Sequence, residues 1–348
     1  MFKRSLTSTD KLVLFSNLST MLSAGIPLLE AIDFLLEDAT GSQRPVLQVL
    51  RTDIIEGKKI STILSKFPES FDPVIINLIR AGEQSGTLDQ TLISLRETIK
   101  KEIEFGNKIK TAIAYPILVV VTFTVIFIII LTFVVPKISE VFVKLKIDLP
   151  LPTRILVSLS NLITQSAPLM ITGFVLALIV GIFIYRTKRR LFLKVIFSLP
   201  LLSQLGKYID LTRFSRSLAL LLESGIPIIE ALALTREVVV RKEIANVIAK
   251  SQQAVAAGQK LSVGFKQEKG PIPQMMIRLV DVGERSGKLD QSLSQISEYF
   301  AEKVSTTLKL ITELLEPVLL VIVGLLIGGT MLAIVAPIYQ LIGSIKIR

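Results

Sequence analysis

The chain has 348 residues, half of them hydrophobic, with a mean hydropathy of +0.61 and a formal net charge of +11. It contains no Cys, His or Trp, so disulfides, a histidine-held zinc site and a Ser-His-Asp triad are excluded by counting. With 20% of the residues charged, the apolar content must be gathered into segments, and the placement of the bases decides whether the net charge reflects nucleic acid or membrane topology.

The start, Met1-Phe2-Lys3-Arg4-Ser5, is basic, but Asp10 and Lys11 follow too soon for an apolar h-region, so no cleavable signal peptide is expected. Leu12, Phe15, Leu18 and Leu22 then recur at helical steps. Gly25 can close that helix in a left-handed conformation and Pro27 can occupy the first turn of the next, whose apolar stripe is Leu28, Ile32 and Leu35. Gly41, Pro45 and Gly57 punctuate further helices, and Asp72-Pro73 reads as a cap followed by proline. Gly82-Glu83-Gln84-Ser85-Gly86 leads to Thr87-Leu88-Asp89-Gln90, which has the form of a capping box opening a long helix. Residues 1–110 thus read as a bundle of about six short helices with no alternating strand pattern.

From Lys110 to Lys137 no charge interrupts the chain. Ile117 to Val135 at about 1.5 Å per residue covers about 28 Å, close to a bilayer's hydrocarbon core, giving a span over 111–136. A short outer segment, 137–167, ends in residues too polar for lipid, such as Ser158, Ser160, Asn161 and Gln165. A second span is expected over 168–185, a second bundle over 186–314, a third span over 315–342 and an outer tail over 343–348. Arg96, Lys100, Lys101, Lys108 and Lys110 precede the first span, and Arg186, Lys188, Arg189, Arg190 and Lys194 follow the second. The positive-inside rule therefore places both bundles and the N-terminus in the cytoplasm of a multi-pass protein. The basic balance is topology, and without a basic stripe interleaved with aromatics no direct nucleic-acid contact is expected.

The chain also repeats itself. Gly25-Ile26-Pro27-Leu28-Leu29-Glu30-Ala31 recurs as Gly225-Ile226-Pro227-Ile228-Ile229-Glu230-Ala231. Gly57-Lys58-Lys59-Ile60-Ser61 recurs as Gly258-Gln259-Lys260-Leu261-Ser262, and Gly82-Glu83-Gln84-Ser85-Gly86 as Gly283-Glu284-Arg285-Ser286-Gly287. Order, spacing and exit into an apolar segment all repeat, so the fold class is an all-α membrane protein: two duplicated cytoplasmic helical bundles and three transmembrane helices.

The Gly-Glu-x-Ser-Gly element has two readings, a turn between helices with glycines at positive φ, or a loop that contacts a partner. Gly283 to Leu289 is not a phosphate-binding loop: its glycines are one residue too close, Leu289 stands where a magnesium-binding hydroxyl is needed, and no strand precedes it. Glu30 and Glu230 occupy equivalent places and read as bundle-surface or contact residues. Gly324 and Gly328 fit small-xxx-small packing of the third span, within one chain or between two copies. Pro116, Pro136, Pro317 and Pro337 sit near span ends, where boundaries or kinks are expected. No Asp, Glu, Lys or Arg lies within a span, which argues against the alternative of a transporter or export channel component.

Together, the duplicated Gly-Ile-Pro-x-x-Glu-Ala and Gly-Glu-x-Ser-Gly-x-Leu-Asp elements resemble the type II secretion F family, the inner-membrane platform proteins of type II secretion, type IV pilus and competence systems. Ala114-Tyr115-Pro116, Val135-Pro136-Lys137, Leu149-Pro150-Leu151-Pro152-Thr153, Leu199-Pro200, Arg213-Phe214, Leu315-Glu316-Pro317 and Ala336-Pro337-Ile338 are similar to further landmarks of that family. The resemblance covers roughly residues 12–342. It implies a non-enzymatic protein of the bacterial cytoplasmic membrane, without cofactor or metal. The partners it implies are a hexameric secretion ATPase, pilin or pseudopilin subunits, other inner-membrane assembly proteins and the lipid bilayer; a homodimer is expected as well. Surfaces around Gly25, Pro27, Glu30, Gly82, Glu83, Gly86, Gly225, Pro227, Glu230, Gly283, Glu284 and Gly287 are the candidate contacts or structural motifs.

Overall fold

The computed structural model describes residues 5–145, 200–267 and 270–345, together with Arg154, Val157, Ser158, Ser160 and Asn161. The chain divides into two compact units, Met1–Ile109 with Leu202–Ser305, and Lys110–Leu201 with Thr306–Arg348. All regular structure among the described residues is helical.

The first repeat forms α1 (Ser8–Ser23), α2 (Leu28–Glu37), α3 (Gln43–Ile55), α4 (Ile60–Leu64), α5 (Pro73–Ser85) and α6 (Leu88–Ile129). The second forms α8 (Pro200–Glu223), α9 (Ile228–Val238), α10 (Lys242–Ala256), α11 (Leu261–Lys266), α12 (Gln274–Ser286) and α13 (Leu289–Ile345). Between them, a π-helical stretch (Ile130–Val134) and α7 (Val135–Leu145) follow α6 without a break.

Local chemistry explains the starts and stops. Thr7 and Asp10 close a reciprocal capping box on α1, with Oδ2 of Asp10 accepting from Thr7 N at 2.9 Å. Asp72 caps α5 by accepting from Ile75 N at 3.0 Å, with Pro73 in the first turn. At the end of α1 the chain reverses through Gly25 (φ 81), and Ile26 N donates back to Met21 O at 3.0 Å; Gly225 and Leu221 repeat the arrangement. Pro27 and Pro227 stand one residue earlier than expected, at the N-caps of α2 and α9. That position is open to them because a capping residue keeps an extended ψ and needs no N–H of its own.

Within the first unit both repeats contribute to one apolar core that runs from Leu6 to Phe300. Each repeat centres on an edge-to-face aromatic pair: Phe15 with Phe71 and Phe214 with Phe265, ring centroids 6.0 Å apart in both. The pairs do not occupy equivalent positions. By the repeat offset, Leu14 and Phe15 correspond to Phe214 and Ser215, and Leu64 and Phe71 correspond to Phe265 and Ile272. Around Phe71 and Phe265 the ring and its aliphatic neighbour have traded places with volume nearly kept, the kind of exchange a close-packed core tolerates best, whereas Phe15 gives way to the smaller Ser215 as Phe214 replaces Leu14.

In the second unit, α6 continued to Lys144 and α13 are two helices long and apolar enough to cross a membrane. Their apolar side chains point outward: Leu118, Val121, Phe133, Leu320 and Leu325 are all more than half exposed. Such surfaces are expelled from water, consistent with a membrane protein. The second expected span, 168–185, and most of the outer segment 137–167 lie outside the described residues.

Of the four prolines expected to mark boundaries or kinks near span ends, three lie inside helices: α6 runs through Pro116, and α13 through Pro317 and Pro337. A single missing N–H is tolerated when the rest of an apolar helix has nowhere else to satisfy its backbone. Pro136 is different. Val135 N donates to Ile130 O, five residues back, which sets the π register. The next bond in that register would need an N–H on Pro136, so Leu131 O is left without it. Ser160, itself buried, donates its hydroxyl to that carbonyl at 2.5 Å, and Val157 packs with Leu131 and Val135 beside it.

Ser160→Ala is therefore expected to destabilise the protein by about 1 kcal/mol, measured as a melting-temperature shift by circular dichroism in detergent. Adding Pro136→Ala, which restores a backbone donor, should shrink that loss toward zero in a double-mutant cycle.

Candidate functional site

The two most sharply repeated motifs face each other. α4 and α11 are only five and six residues long, and their N-cap residues, Lys59 and Lys260, provide no side-chain cap. The missing acceptor comes from the last turn of α5 or α12. Glu83 accepts from Ile60 N and Ser61 Oγ at 2.5 Å each and from Ser61 N at 3.4 Å. Glu284 accepts from Leu261 N at 2.5 Å and Ser262 N at 3.0 Å. A carboxylate at a helix N-terminus satisfies orphan amides and meets the positive end of the macrodipole. The Gly-x-Lys-x-Ser and Gly-Glu-x-Ser-Gly elements are thus donor and acceptor of one contact.

The glycines around the carboxylate have steric reasons. A Cβ on Gly82 would lie 2.9 Å from Thr91 Cβ, and one on Gly283 would lie 2.8 Å from Ser292 Cβ. These first glycines let the start of α6 or α13 lie directly on α5 or α12. The second glycines, Gly86 (φ 73) and Gly287 (φ 68), turn the chain in the left-handed region. Thr87 N and Lys288 N then donate to the Gly82 and Gly283 carbonyls at 2.9 Å, closing the helix ends. The Thr87 hydroxyl meets Ser85 Oγ at 2.7 Å.

Glu30 and Glu230 are placed otherwise. Both are exposed in the first turn of α2 and α9, one turn from Pro27 and Pro227, and make no hydrogen bond or ion pair among the described residues. Of the four glutamates singled out in the sequence, Glu83 and Glu284 are engaged inside the fold and Glu30 and Glu230 present free charge. Gly324 and Gly328 are exposed on α13, and a methyl group added at either would meet no described atom within 4 Å. No group of acidic side chains that could hold a metal occurs among the described residues.

Three polar clusters escaped the sequence reading. Asp10 and Asp210, equivalent in the repeat, each hold the loop that follows α2 or α9. Asp10 accepts from Gln43 Nε2 at 3.2 Å and Ser42 Oγ at 3.4 Å. Asp210, buried, accepts from Arg241 N at 2.8 Å and Val240 N at 3.2 Å. Burial pushes the Asp210 carboxyl above its ordinary range despite those amides, whereas at Asp10 the hydrogen bonds from Thr7, Gln43 and Ser42 outweigh burial and hold it below. The shared aspartate was the available signal. In the first repeat only, Asp53 joins Lys58 at 2.6 Å and Lys66 at 2.5 Å, and the lysine bonds hold its carboxyl low. In the second, Ala254, Gln259 and Gln267 replace all three together. A cleft of about 530 Å³ beside Lys207 and Arg241 offers donors, but Lys207 is bonded to Gly270 O at 2.7 Å and Arg241 to Ser203 O at 2.6 Å.

Comparison with known proteins finds the same duplication in this chain. The family model described as type II secretion system (T2SS), protein F, matches twice, at residues 14–136 and 214–337. The chain is 31% identical over 346 residues to a type IV pilus assembly protein PilC of Thermus thermophilus, covering 97% of this chain and 84% of the relative. It is 32% identical to a type 4 fimbrial assembly protein PilC of Pseudomonas putida, covering 96% and 84%. To a type II secretion system protein F of Pseudomonas aeruginosa it is 30% identical, covering 98% and 84%.

Glu284→Ala, which strips the N-terminus of α11, is expected to cost about 1.5–3 kcal/mol in thermal unfolding. Glu30→Ala should cost no more than about 1 kcal/mol, its loss of dipole stabilisation. The pH response of the paired aspartates should be opposite. Asp10 contributes stability above the ordinary carboxylate range that is lost as pH falls through its lowered value, so Asp10→Asn should flatten the acid limb of a melting profile. Asp210 binds its proton more tightly folded than unfolded, so stability declines as pH rises through its raised value, and Asp210→Asn should remove that decline.

Proposed function

Because the chain belongs to the type II secretion system protein F family, we propose that it is a non-enzymatic platform protein of a pilus-assembly or secretion machine, seated in the bacterial inner membrane. The observation that carries this reading is the continuity of α6 and α13: each begins on the Gly-Glu-x-Ser-Gly corner of one repeat and runs unbroken into an exposed apolar stretch. A helix continuous over 42 or 57 residues transmits displacement along its axis instead of absorbing it in a hinge. The proposed topology has bundles 1–110 and 186–314 and the N-terminus in the cytoplasm, with spans at 111–136, 168–185 and 315–342.

On this reading a hexameric cytoplasmic ATPase supplies the energy, and pilin or pseudopilin subunits are lifted from the membrane into a filament. The chain works as a dimer beside other inner-membrane assembly proteins. Support for an external energy source comes from the loop at Gly287: its amide and that of Lys288 are spent on the Gly283 carbonyl. The proposed ATPase contacts are the exposed Glu30 and Glu230, since Glu83 and Glu284 are committed to α4 and α11.

Crosslinking the tagged protein in its native membrane, followed by mass spectrometry, should recover an assembly ATPase together with pilin-like subunits. Recovery of neither would overturn the platform reading. Glu30→Lys and Glu230→Lys should reduce ATPase capture several-fold while leaving the melting temperature nearly unchanged. Unaltered capture in both would move the contact elsewhere on the protein.

A further inference from the structure

The two repeats of the first unit share one apolar core, and a charged face lies beside it. There a cleft of about 280 Å³ opens between α6 of the first repeat and α8 and α13 of the second, and charged groups line it: Lys101 on α6, Arg216 and Glu223 on α8, Asp290 and Glu298 on α13. Arg216 is the only one of these that sits half-buried within the wall with an aromatic ring against it. Its guanidinium lies 5.6 Å from the centroid of Phe105, a buried ring on α6. Among the described residues it makes no hydrogen bond or ion pair. Burial, the largest influence on it, disfavours its charge; Glu102 on α6 and Glu298 on α13 favour it, and Arg213 opposes it.

A partly desolvated guanidinium with five donors has a strong demand for acceptors. Two carboxylates lie within electrostatic reach, one on each of the two helices that continue into the apolar stretches, and neither has closed upon it. A half-buried charge holds its counter-charges more strongly than exposed pairs do, because screening is weaker. A water-accessible cleft nevertheless leaves room for either carboxylate to close on the arginine or to release it.

We propose that Arg216 is a positioning residue that couples α6 to α13, holding the two long helices in register through Phe105, Glu102 and Glu298. Its loss frees the helices to move independently. The inference concerns the first unit alone, so it stands or falls separately from the platform reading.

The absence of cysteine from the chain makes the test direct. Cysteines introduced at the exposed positions Lys100 on α6 and Gln295 on α13 would take spin labels with no background. Double electron–electron resonance on the full chain in lipid nanodiscs would then read the distance distribution between the helices. With Arg216 intact a single narrow distribution is expected. Arg216→Gln should broaden it and shift its mean by several ångströms, and Arg216→Lys, which keeps the charge, should hold it narrower than Gln does. Arg216→Gln could instead unfold the unit, so the decisive variant is Glu102→Gln with Glu298→Gln, which leaves the arginine and its packing in place. Broadening in that pair, with helicity retained by circular dichroism, supports the coupling. An unchanged distribution in that pair overturns it, whatever Arg216→Gln does.

Discussion

One carboxylate per repeat, Glu83 or Glu284, holds the geometry on which the rest of the protein depends. A helix of five or six residues has no independent stability in water, because nucleation costs more than so few hydrogen bonds return. α4 and α11 persist because a glutamate from the following helix supplies the acceptor their own caps lack. That same glutamate stands between two glycines. One lets the next helix lie against α5 or α12, and the other turns the chain into it. Five consecutive residues therefore dock a short helix, end a second and aim a third. The third is α6 or α13, the longest helix of its repeat.

Beneath that shared skeleton the repeats have diverged in a physically coordinated way. The hydrogen-bonding positions are retained: both glutamates, both corner glycines, and the aspartates Asp10 and Asp210. The packing positions have been exchanged in compensating sets. The aromatic pair has moved between neighbours, and Leu50 and Ile63 correspond to Ser251 and Gly264. There a methyl on Gly264 would come within 2.6 Å of Ser251 Cα, so α11 rests almost on the backbone of α10. The Asp53–Lys58–Lys66 cluster has been replaced as a unit, since a buried carboxylate stripped of only one partner would be costly. Volumes can be traded across a core, whereas a cap has one geometry.

The apolar helices follow a different logic. Where a backbone cannot turn to water, a missing bond is either tolerated within a continuing helix or met by a specific donor. At Pro116, Pro317 and Pro337 the helix runs on, while at Pro136 the register shifts to π and a serine from a distant stretch of chain reaches the stranded carbonyl. The chemistry of proline is the same at all four sites; at Pro136 the Ser160 hydroxyl meets the carbonyl left without its backbone donor.

The sequence by itself determined the helical class, the duplication, the two long apolar stretches described here and the turns at Gly25, Gly86 and their repeat partners, but not the placing of Gly82 and Gly283, which lie inside α5 and α12 and not at the positive φ expected of them. These follow from local rules: hydrophobic periodicity, charge-free length and the conformational freedom of glycine all act within a few residues of where they are read. Only the tertiary structure decided what Glu83 and Glu284 do, since their partners lie more than twenty residues upstream in the chain and a lone glutamate near a helix end looks the same whether it caps a neighbour or waits for one. Only the tertiary structure, likewise, joined both repeats in one core and set Arg216 over the Phe105 ring in the cleft that Glu298 also lines. Those pairings are matters of distance in space, and periodicity along the chain carries no information about which helix faces which.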